Sequence, residues 1–194
     1  AMKARYNGMG WQCDHRTPVG DQYRELVETG VIDAIQKRGM MLHGPAHSFP
    51  HFLPNELFDE HPEWFGMKDG VRVKQEIGGR QFCWSNAEAR KVFVDNAERF
   101  VLESPAISIF CTLAYDGGLA CECPECAKST PGDLVFQLLN ELVERLQVSA
   151  PHVMVETSCG YNPVHEPPRV TKAHDKLRIV WAHWGRAHDM GFDD

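Results

Sequence analysis

An aspartate and three cysteines stand close together in one short segment, and they are the residues best suited to chemistry. Asp116 follows an apolar run at 107–113 and precedes two glycines, and Cys121, Cys123 and Cys126 come a few residues later. A carboxylate at a strand end can act as a general acid, a general base or a stabiliser of developing positive charge. An aspartate before glycine is also a common turn residue. The sequence therefore leaves Asp116 either as a catalyst or as a turn former.

Three cysteines within so short a span can wrap one zinc ion, and a fourth thiolate would complete a tetrahedral structural site. Cys83 is the best candidate for the fourth ligand. It precedes a predicted helix that begins at the sheet edge where the 107–113 strand ends. The alternatives are a disulfide within the cluster with spare thiols, or reduced buried cysteines. We predict a structural zinc on Cys83, Cys121, Cys123 and Cys126, and no organic cofactor.

Histidines and aromatic residues also follow the predicted strands. Each histidine alone is more often an ordinary hydrogen-bonded loop residue, and it is their shared placement at strand ends that favours a common pocket. Aromatic rings stack on the apolar faces of sugars, whereas histidine and aspartate suit the hydroxyl groups. The predicted sugar-binding residues are His15, His47, Tyr115, Tyr161, His183 and Trp184.

The elements that must position these residues are short apolar strands that alternate with amphipathic helices. The pattern predicts strands at 6–11, 40–43, 107–113, 153–157 and 177–182, and helices at 31–38, 86–103 and 134–146. Ser85 and Glu88 have the spacing of a capping box for the second of these helices. The segment between the second strand and this helix holds a predicted short helix at 55–61 and a turn at Asp69-Gly70. Alternation of this kind indicates parallel βα units.

The number of strands bears on the fold. A closed (β/α)8 barrel usually needs about 250 residues, whereas this chain has 194 residues and five predicted strands. We therefore expect residues 1–194 to be the central portion of a single TIM-type (β/α)8 barrel domain, covering about five consecutive βα units.

The composition is that of an ordinary globular domain, with 43% hydrophobic and 24% charged residues and a net charge of −7. An acidic balance without Lys/Arg clusters argues against a nucleic-acid partner. No apolar run reaches the roughly 20 residues that a membrane span needs. Seven cysteines, three of them crowded together, argue against an extracellular disulfide framework and leave the redox compartment open. Oligomeric state and localisation do not follow from these features.

Several motifs, taken in order, resemble an initially uncharacterised family of glycoside-hydrolase-like barrels. They are the runs 47–54, 58–70 and 81–86, and the Asp116-Gly117-Gly118 turn followed by the clustered cysteines. The resemblance spans roughly residues 6–184. It implies a barrel akin to α-glucuronidases and β-hexosaminidases, with some relatives acting as endo-β-N-acetylglucosaminidases on N-glycans, and a secreted or periplasmic setting.

The resemblance also implies a mechanism. Those enzymes resemble retaining, substrate-assisted catalysts that use an Asp-Glu pair at the end of the fourth strand. Asp116 matches the aspartate of that pair, and Gly117 stands where the glutamate is expected. His47, Cys83 and Asn86 also match family positions.

The sequence thus predicts a glycoside hydrolase that acts on a glycan or oligosaccharide at the C-terminal strand ends, with Asp116 as the catalytic residue. Two alternatives stay open. One is a non-catalytic carbohydrate-binding barrel, which the missing glutamate favours. The other is a metal-dependent enzyme of sugar-isomerase type that uses histidine and aspartate ligands.

Overall fold

The computed structural model describes residues 7–161 and 163–182. Three short 3-10 helices, Asn55–Phe58, Pro62–Trp64 and Cys126–Lys128, lie in the loops. The helices and strands in chain order are β1 (Gly8–Gln12), α1 (Val19–Glu28), α2 (Val31–Gln36), β2 (Met41–Ala46), α3 (Phe49–Phe52), β3 (Met67–Lys68), β4 (Val71–Arg72), α4 (Ala87–Glu103), β5 (Ile107–Cys111), α5 (Pro131–Ser149), β6 (Met154–Cys159) and β7 (Leu177–Trp181).

Five of these strands form one parallel sheet in the order β1-β2-β5-β6-β7, and β3 and β4 form a small antiparallel hairpin around Asp69-Gly70. The five predicted strands and their parallel arrangement are confirmed. Within residues 7–161 and 163–182 the sheet is open and does not close into a barrel. Its carboxyl ends all lie at one edge, which is where the predicted site residues follow the strands.

The three predicted helices are present, and an additional helix, α1, lies between β1 and α2. The predicted capping box at Ser85 is wrong: Asn86 caps α4, and its Oδ1 accepts a hydrogen bond from the Ala89 N–H at 3.0 Å. Ser85 does not cap because its Oγ lies 3.2 Å from Cys126 Sγ. The predicted helix at 55–61 is a shorter 3-10 turn. Among the described helices, none combines the length and the apolar composition that would let it span a membrane.

One face of the sheet packs on the helices through fully buried aromatic rings. The Phe52 ring from α3 lies 5.6 Å from both Phe93 of α4 and Phe110 of β5, measured between ring centroids. All three side chains are at most 1% exposed. Aromatic side chains bury large apolar areas, so this cluster fixes α3 and α4 against the centre of the sheet.

The opposite face of the sheet carries a buried charge. Glu156 in β6 has a side chain that is 3% exposed, with Oε1 located 2.6 Å from His43 Nε2 and Oε2 located 2.9 Å from Arg178 Nε. Burying a carboxylate is unfavourable unless it is paired. The two partners come from β2 and β7, on either side of β6 in the sheet order. Glu156 therefore links β2, β6 and β7, of which only β6 and β7 are neighbours in the sheet.

We expect the substitution Glu156→Gln to lower the free energy of unfolding by about 2 kcal/mol, because it removes the buried negative charge that pairs with the Arg178 guanidinium and lies next to His43 Nε2. Urea denaturation measures the change. The control is Glu166→Gln, which alters an exposed ion pair with Arg169 and should change stability by less than about 1 kcal/mol. Equal stability of the two variants would contradict the role given to Glu156.

Candidate functional site

Asp116 lies in an exposed turn just beyond the carboxyl end of β5. The Gly118 N–H donates to the Tyr115 carbonyl at 2.9 Å and closes the turn. Gly117 has a φ of 65°, a left-handed conformation that side-chain-bearing residues rarely adopt. A Cβ on Gly118 would lie 2.7 Å from Gln81 Nε2. The turn that presents Asp116 therefore favours glycine at the position where the family resemblance expects a glutamate.

The segment 78–81 braces this turn by backbone pairing. The Gly78 N–H donates to the Asp116 carbonyl at 3.0 Å, the Leu119 N–H to the Gly79 carbonyl at 2.8 Å, and the Gln81 N–H to the Leu119 carbonyl at 2.9 Å. The fully buried Gln81 side chain also accepts a hydrogen bond from the Tyr115 N–H at 2.9 Å. Nothing in the local sequence predicts this role, because Gln81 stands there only as one polar residue in the run 81–84.

Tyr161 also contacts this turn. It follows β6, and its hydroxyl oxygen accepts a hydrogen bond from the Gly117 N–H at 3.2 Å. Its side chain is partly exposed. Tyr161 therefore lies next to the turn that carries Asp116.

His47, His15 and Tyr115 meet at the same edge of the sheet. The His47 Nδ1–H donates to the Ala114 carbonyl at 2.6 Å, which leaves Nε2 as the acceptor of the neutral ring. The His15 ring centroid lies 4.7 Å from that of Tyr115 and 6.4 Å from that of His47. Burial lowers the pKa of His15, the neighbouring His47 lowers it further, and the carboxylates of Asp14 and Asp116 oppose both effects.

The predicted site residues border two different cavities. A cavity of about 440 Å³ opens beside α1, α3 and α4, with His15 and Tyr115 in its wall. A small cavity of about 20 Å³ is lined by His47 and Tyr161, among others. Asp116 is exposed and lines neither cavity. The remaining two predicted sugar-binding residues, His183 and Trp184, lie outside the described residues.

The four cysteines predicted as metal ligands do come together, and all are buried. Their sulfur atoms lie within 4.8 Å of one another; Cys83 Sγ is 3.6 Å from Cys123 Sγ and 3.8 Å from Cys126 Sγ. Sulfurs bound to one zinc at the usual distance stand about 3.8 Å apart in a tetrahedron, whereas a disulfide requires about 2.05 Å. None of the seven cysteines is in a disulfide. The cluster can therefore hold a metal ion.

Polar groups around the cluster point at its sulfur atoms. Cys121 Sγ accepts from the Met67 N–H at 3.2 Å and from the Cys123 N–H at 3.4 Å, and the Arg72 guanidinium lies 3.6 Å away. Hydrogen bonds from neighbouring thiols lower the pKa of Cys83, and contacts within the same cluster raise the pKa of Cys126. Such donors stabilise negative charge on sulfur, which is the form that binds metal.

The cluster and the Asp116 turn are continuous along the chain. Gln81 and Leu119, which pair in the brace, are each followed two residues later by a cysteine of the cluster, Cys83 and Cys121. Glu122 adds a further tie, because its N–H donates to the Met67 carbonyl at 3.0 Å and its side chain forms an ion pair with Arg80. A metal ion bound by the four cysteines would therefore also fix the two segments that hold Asp116.

A second group of metal-ligating side chains was not predicted. One ligand atom from each of Cys13, His15 and His51 lies within 4.8 Å of the other two. Cys13 and His15 follow β1, but His51 belongs to α3 and reaches them only in the folded chain. The sequence pattern around His51 contained no signal of this contact.

Comparison with solved structures finds the same type of fold in two glycoside hydrolases. A β-galactosidase from Rahnella sp. R3 is 13% identical, with a TM-score of 0.54, over 81% of this chain and 32% of that chain. A GH42 β-galactosidase from G. stearothermophilus is 14% identical, with a TM-score of 0.50, over 85% of this chain and 33% of that chain. This chain spans about a third of the length of those two chains. At such identity the likeness describes the fold alone.

No curated protein sequence matches this chain. Residues 5–191 match a family described as a domain of unknown function, DUF4838. That match covers nearly the whole chain, and the structural neighbours are glycoside hydrolases with TIM-type barrels. The chain therefore belongs to the DUF4838 family and has an α/β fold similar to that of the two β-galactosidases.

Proposed function

We propose that this chain is the central portion of a single glycoside-hydrolase-like TIM barrel and hydrolyses a glycan or oligosaccharide at the carboxyl ends of its strands. The observation that carries the proposal is the exposed Asp116 carboxylate in a turn braced by two hydrogen bonds, from the Gly78 N–H to the Asp116 carbonyl and from the Gly117 N–H to the Tyr161 hydroxyl oxygen. These contacts hold the backbone of Asp116 at a strand end, the position from which catalytic side chains act in parallel α/β folds. The glycoside-hydrolase fold of the structural neighbours supports the choice of substrate class.

The residues near Asp116 receive separate roles. The His47 Nε2, left as an acceptor by the Nδ1 hydrogen bond, would bind a sugar hydroxyl. Tyr161, partly exposed, offers a ring face for a sugar. Tyr115 is only 8% exposed, so we assign it the positioning of His15 within the site. His183 and Trp184 remain predicted members of the same pocket.

Hydrolysis of a glycosidic bond also needs a second reacting group besides Asp116. A retaining glycosidase needs two carboxyl groups, or a substrate amide in place of one. With Gly117 beside it, Asp116 fits the amide-assisted variant, in which the carboxylate orients and stabilises the substrate amide. The proton for the leaving oxygen would then come from a histidine or from a carboxylate beyond the described residues.

Carbohydrate binding without hydrolysis is the second candidate function. It is favoured by the left-handed backbone at Gly117, because a catalytic glutamate cannot be accommodated there without strain. In that case Asp116 would accept hydrogen bonds from sugar hydroxyls and no bond would be broken.

We further propose that Cys83, Cys121, Cys123 and Cys126 bind one structural zinc ion. The sulfur separations and the N–H donors aimed at Cys121 support this assignment. Such a site is closed by four protein ligands and takes no part in the reaction. Its effect is to hold the segments that carry Asp116.

We expect Asp116→Asn to reduce hydrolysis of aryl glycosides by at least about 100-fold, because the amide cannot supply the carboxylate charge. Sugar binding should change by less than about fivefold, since an amide still hydrogen-bonds hydroxyl groups. Steady-state kinetics and calorimetry on protein with a complete barrel provide the two measurements.

The matched control for this experiment is Asp69→Asn, which alters the other Asp-Gly turn of the described chain, in the β3–β4 hairpin. It should leave both hydrolysis and binding unchanged. Undiminished hydrolysis by the Asp116 variant would contradict the catalytic assignment. Sugar binding by the unaltered protein with no turnover on any tested glycan would favour the binding-only alternative.

We expect Cys123→Ser to remove about one zinc equivalent and to lower the free energy of unfolding by about 3 kcal/mol, the stabilisation given by a ligand at roughly a hundred times its Kd. Elemental analysis and denaturation measure the two effects. Cys159→Ser, at a buried cysteine outside the cluster, should keep its zinc. The zinc assignment fails if Cys123→Ser leaves the metal content of never-chelated protein unchanged.

A further inference from the structure

We propose that Cys13, His15 and His51 form a second metal site, for zinc or a neighbouring first-row divalent ion, with an open coordination position toward the cavity beside α1, α3 and α4. One ligand atom of each residue lies within 4.8 Å of the other two. The site shares no ligand with the four-cysteine cluster, and it stands independently of any hydrolytic activity.

Unpaired buried nitrogens are the first observation in its favour. His15 Nδ1 and His51 Nε2 are both buried, and neither has a hydrogen-bond partner among the described residues. A buried polar atom without a partner is unfavourable by about 1–3 kcal/mol, and native proteins rarely leave one unless a ligand or water satisfies it. The two histidines belong to one cluster, His15 from the loop after β1 and His51 from α3, and a shared ligand would satisfy both nitrogens.

The donor types indicate which ligand this is. Two imidazoles and one thiol form a borderline-soft set that binds zinc and similar ions in preference to magnesium or calcium. The carboxylate of Asp14, which lies between Cys13 and His15 in the chain, is already engaged, because its oxygens accept from the Arg16 N–H at 3.1 Å and the Thr17 hydroxyl at 3.0 Å. An oxygen-rich site for a harder cation is therefore not available here.

The surroundings of the two histidines also suit metal binding. His51 belongs to α3, whose helical backbone holds its side chain near Cys13 and His15. His15 is held by its edge-on contact with the Tyr115 ring. Both imidazoles are thus positioned before any ion arrives, which lowers the entropy lost on binding.

Cys13 must exchange one partner for another. Its thiol now donates to the Ala46 carbonyl at 2.7 Å. On coordination the sulfur loses this proton to solvent and donates an electron pair to the metal, without oxidation or reduction. Three protein ligands leave one position of a tetrahedral ion open. Because His15 and His51 both line the cavity of about 440 Å³, that position is accessible to water or to an oxygen atom of a small molecule.

The test is zinc binding measured by equilibrium dialysis and elemental analysis on the unaltered protein, His51→Gln, Cys123→Ser and the double variant. We expect about two equivalents in the unaltered protein, about one in each single variant and none in the double variant. His152→Gln, which changes an exposed histidine, should keep two equivalents. Circular dichroism verifies that each variant is folded.

The two metal proposals fail separately in this experiment. If the unaltered protein binds one equivalent that Cys123→Ser removes and His51→Gln does not, the second site is overturned and the cysteine site stands. If His51→Gln removes the only equivalent, the second site stands alone. Cys13→Ser guards against a folding defect in His51→Gln: it should weaken zinc binding at this site by at least about tenfold, and unaltered affinity would overturn the proposal.

Discussion

The backbone pairing between residues 78–81 and 116–119 is the interaction on which both the Asp116 turn and the four-cysteine cluster depend. It joins the loop that precedes α4 to the loop that follows β5. On one side of the pairing the buried Gln81 amide accepts from the Tyr115 backbone, and on the other side Cys83 and Cys121 extend from the paired segments into the cluster. Neither segment is part of a regular strand. The backbone pairing therefore depends on these side chains for its stability.

The same constraint explains the glycine after the aspartate. A turn tight enough to pair with residues 78–81 and to meet the Tyr161 hydroxyl takes a left-handed conformation at Gly117 and leaves no room for a Cβ at Gly118. A side chain at either position would disturb the brace. The absence of the glutamate of the Asp-Glu pair thus follows from the conformation of this turn. A proton donor for hydrolysis would have to come from another strand.

Two sets of buried polar groups in the described chain receive different roles. Glu156 lies within ion-pair distance of His43 and Arg178, without a hydrogen bond to its Oε2, and helps to hold the strands of the sheet together. His15 Nδ1 and His51 Nε2 also have no hydrogen-bond partner within the described residues, and the two histidines share a cluster with Cys13. A ligand bound by that cluster would satisfy both nitrogens.

Much of the fold could be predicted from the amino-acid order, because strand and helix patterns are local. The five apolar runs, the helices at α4 and α5, and the strand-end placement of Asp116, His15 and His47 all follow from periodicity and from the geometry of parallel βα units. Even Cys83 could be placed near the other cysteines, since a helix start and a strand end share one edge. The Asn86 cap was missed because a cap depends on neighbours that local patterns do not include, whereas helix α1 was missed although it is longer than the predicted α2. Only the tertiary structure decided that Gln81 braces the turn, that Glu156 lies between His43 and Arg178, and that His51 meets Cys13 and His15. Each is a contact between distant parts of the chain, made by side chains whose local sequence is equally compatible with an exposed loop or a core position.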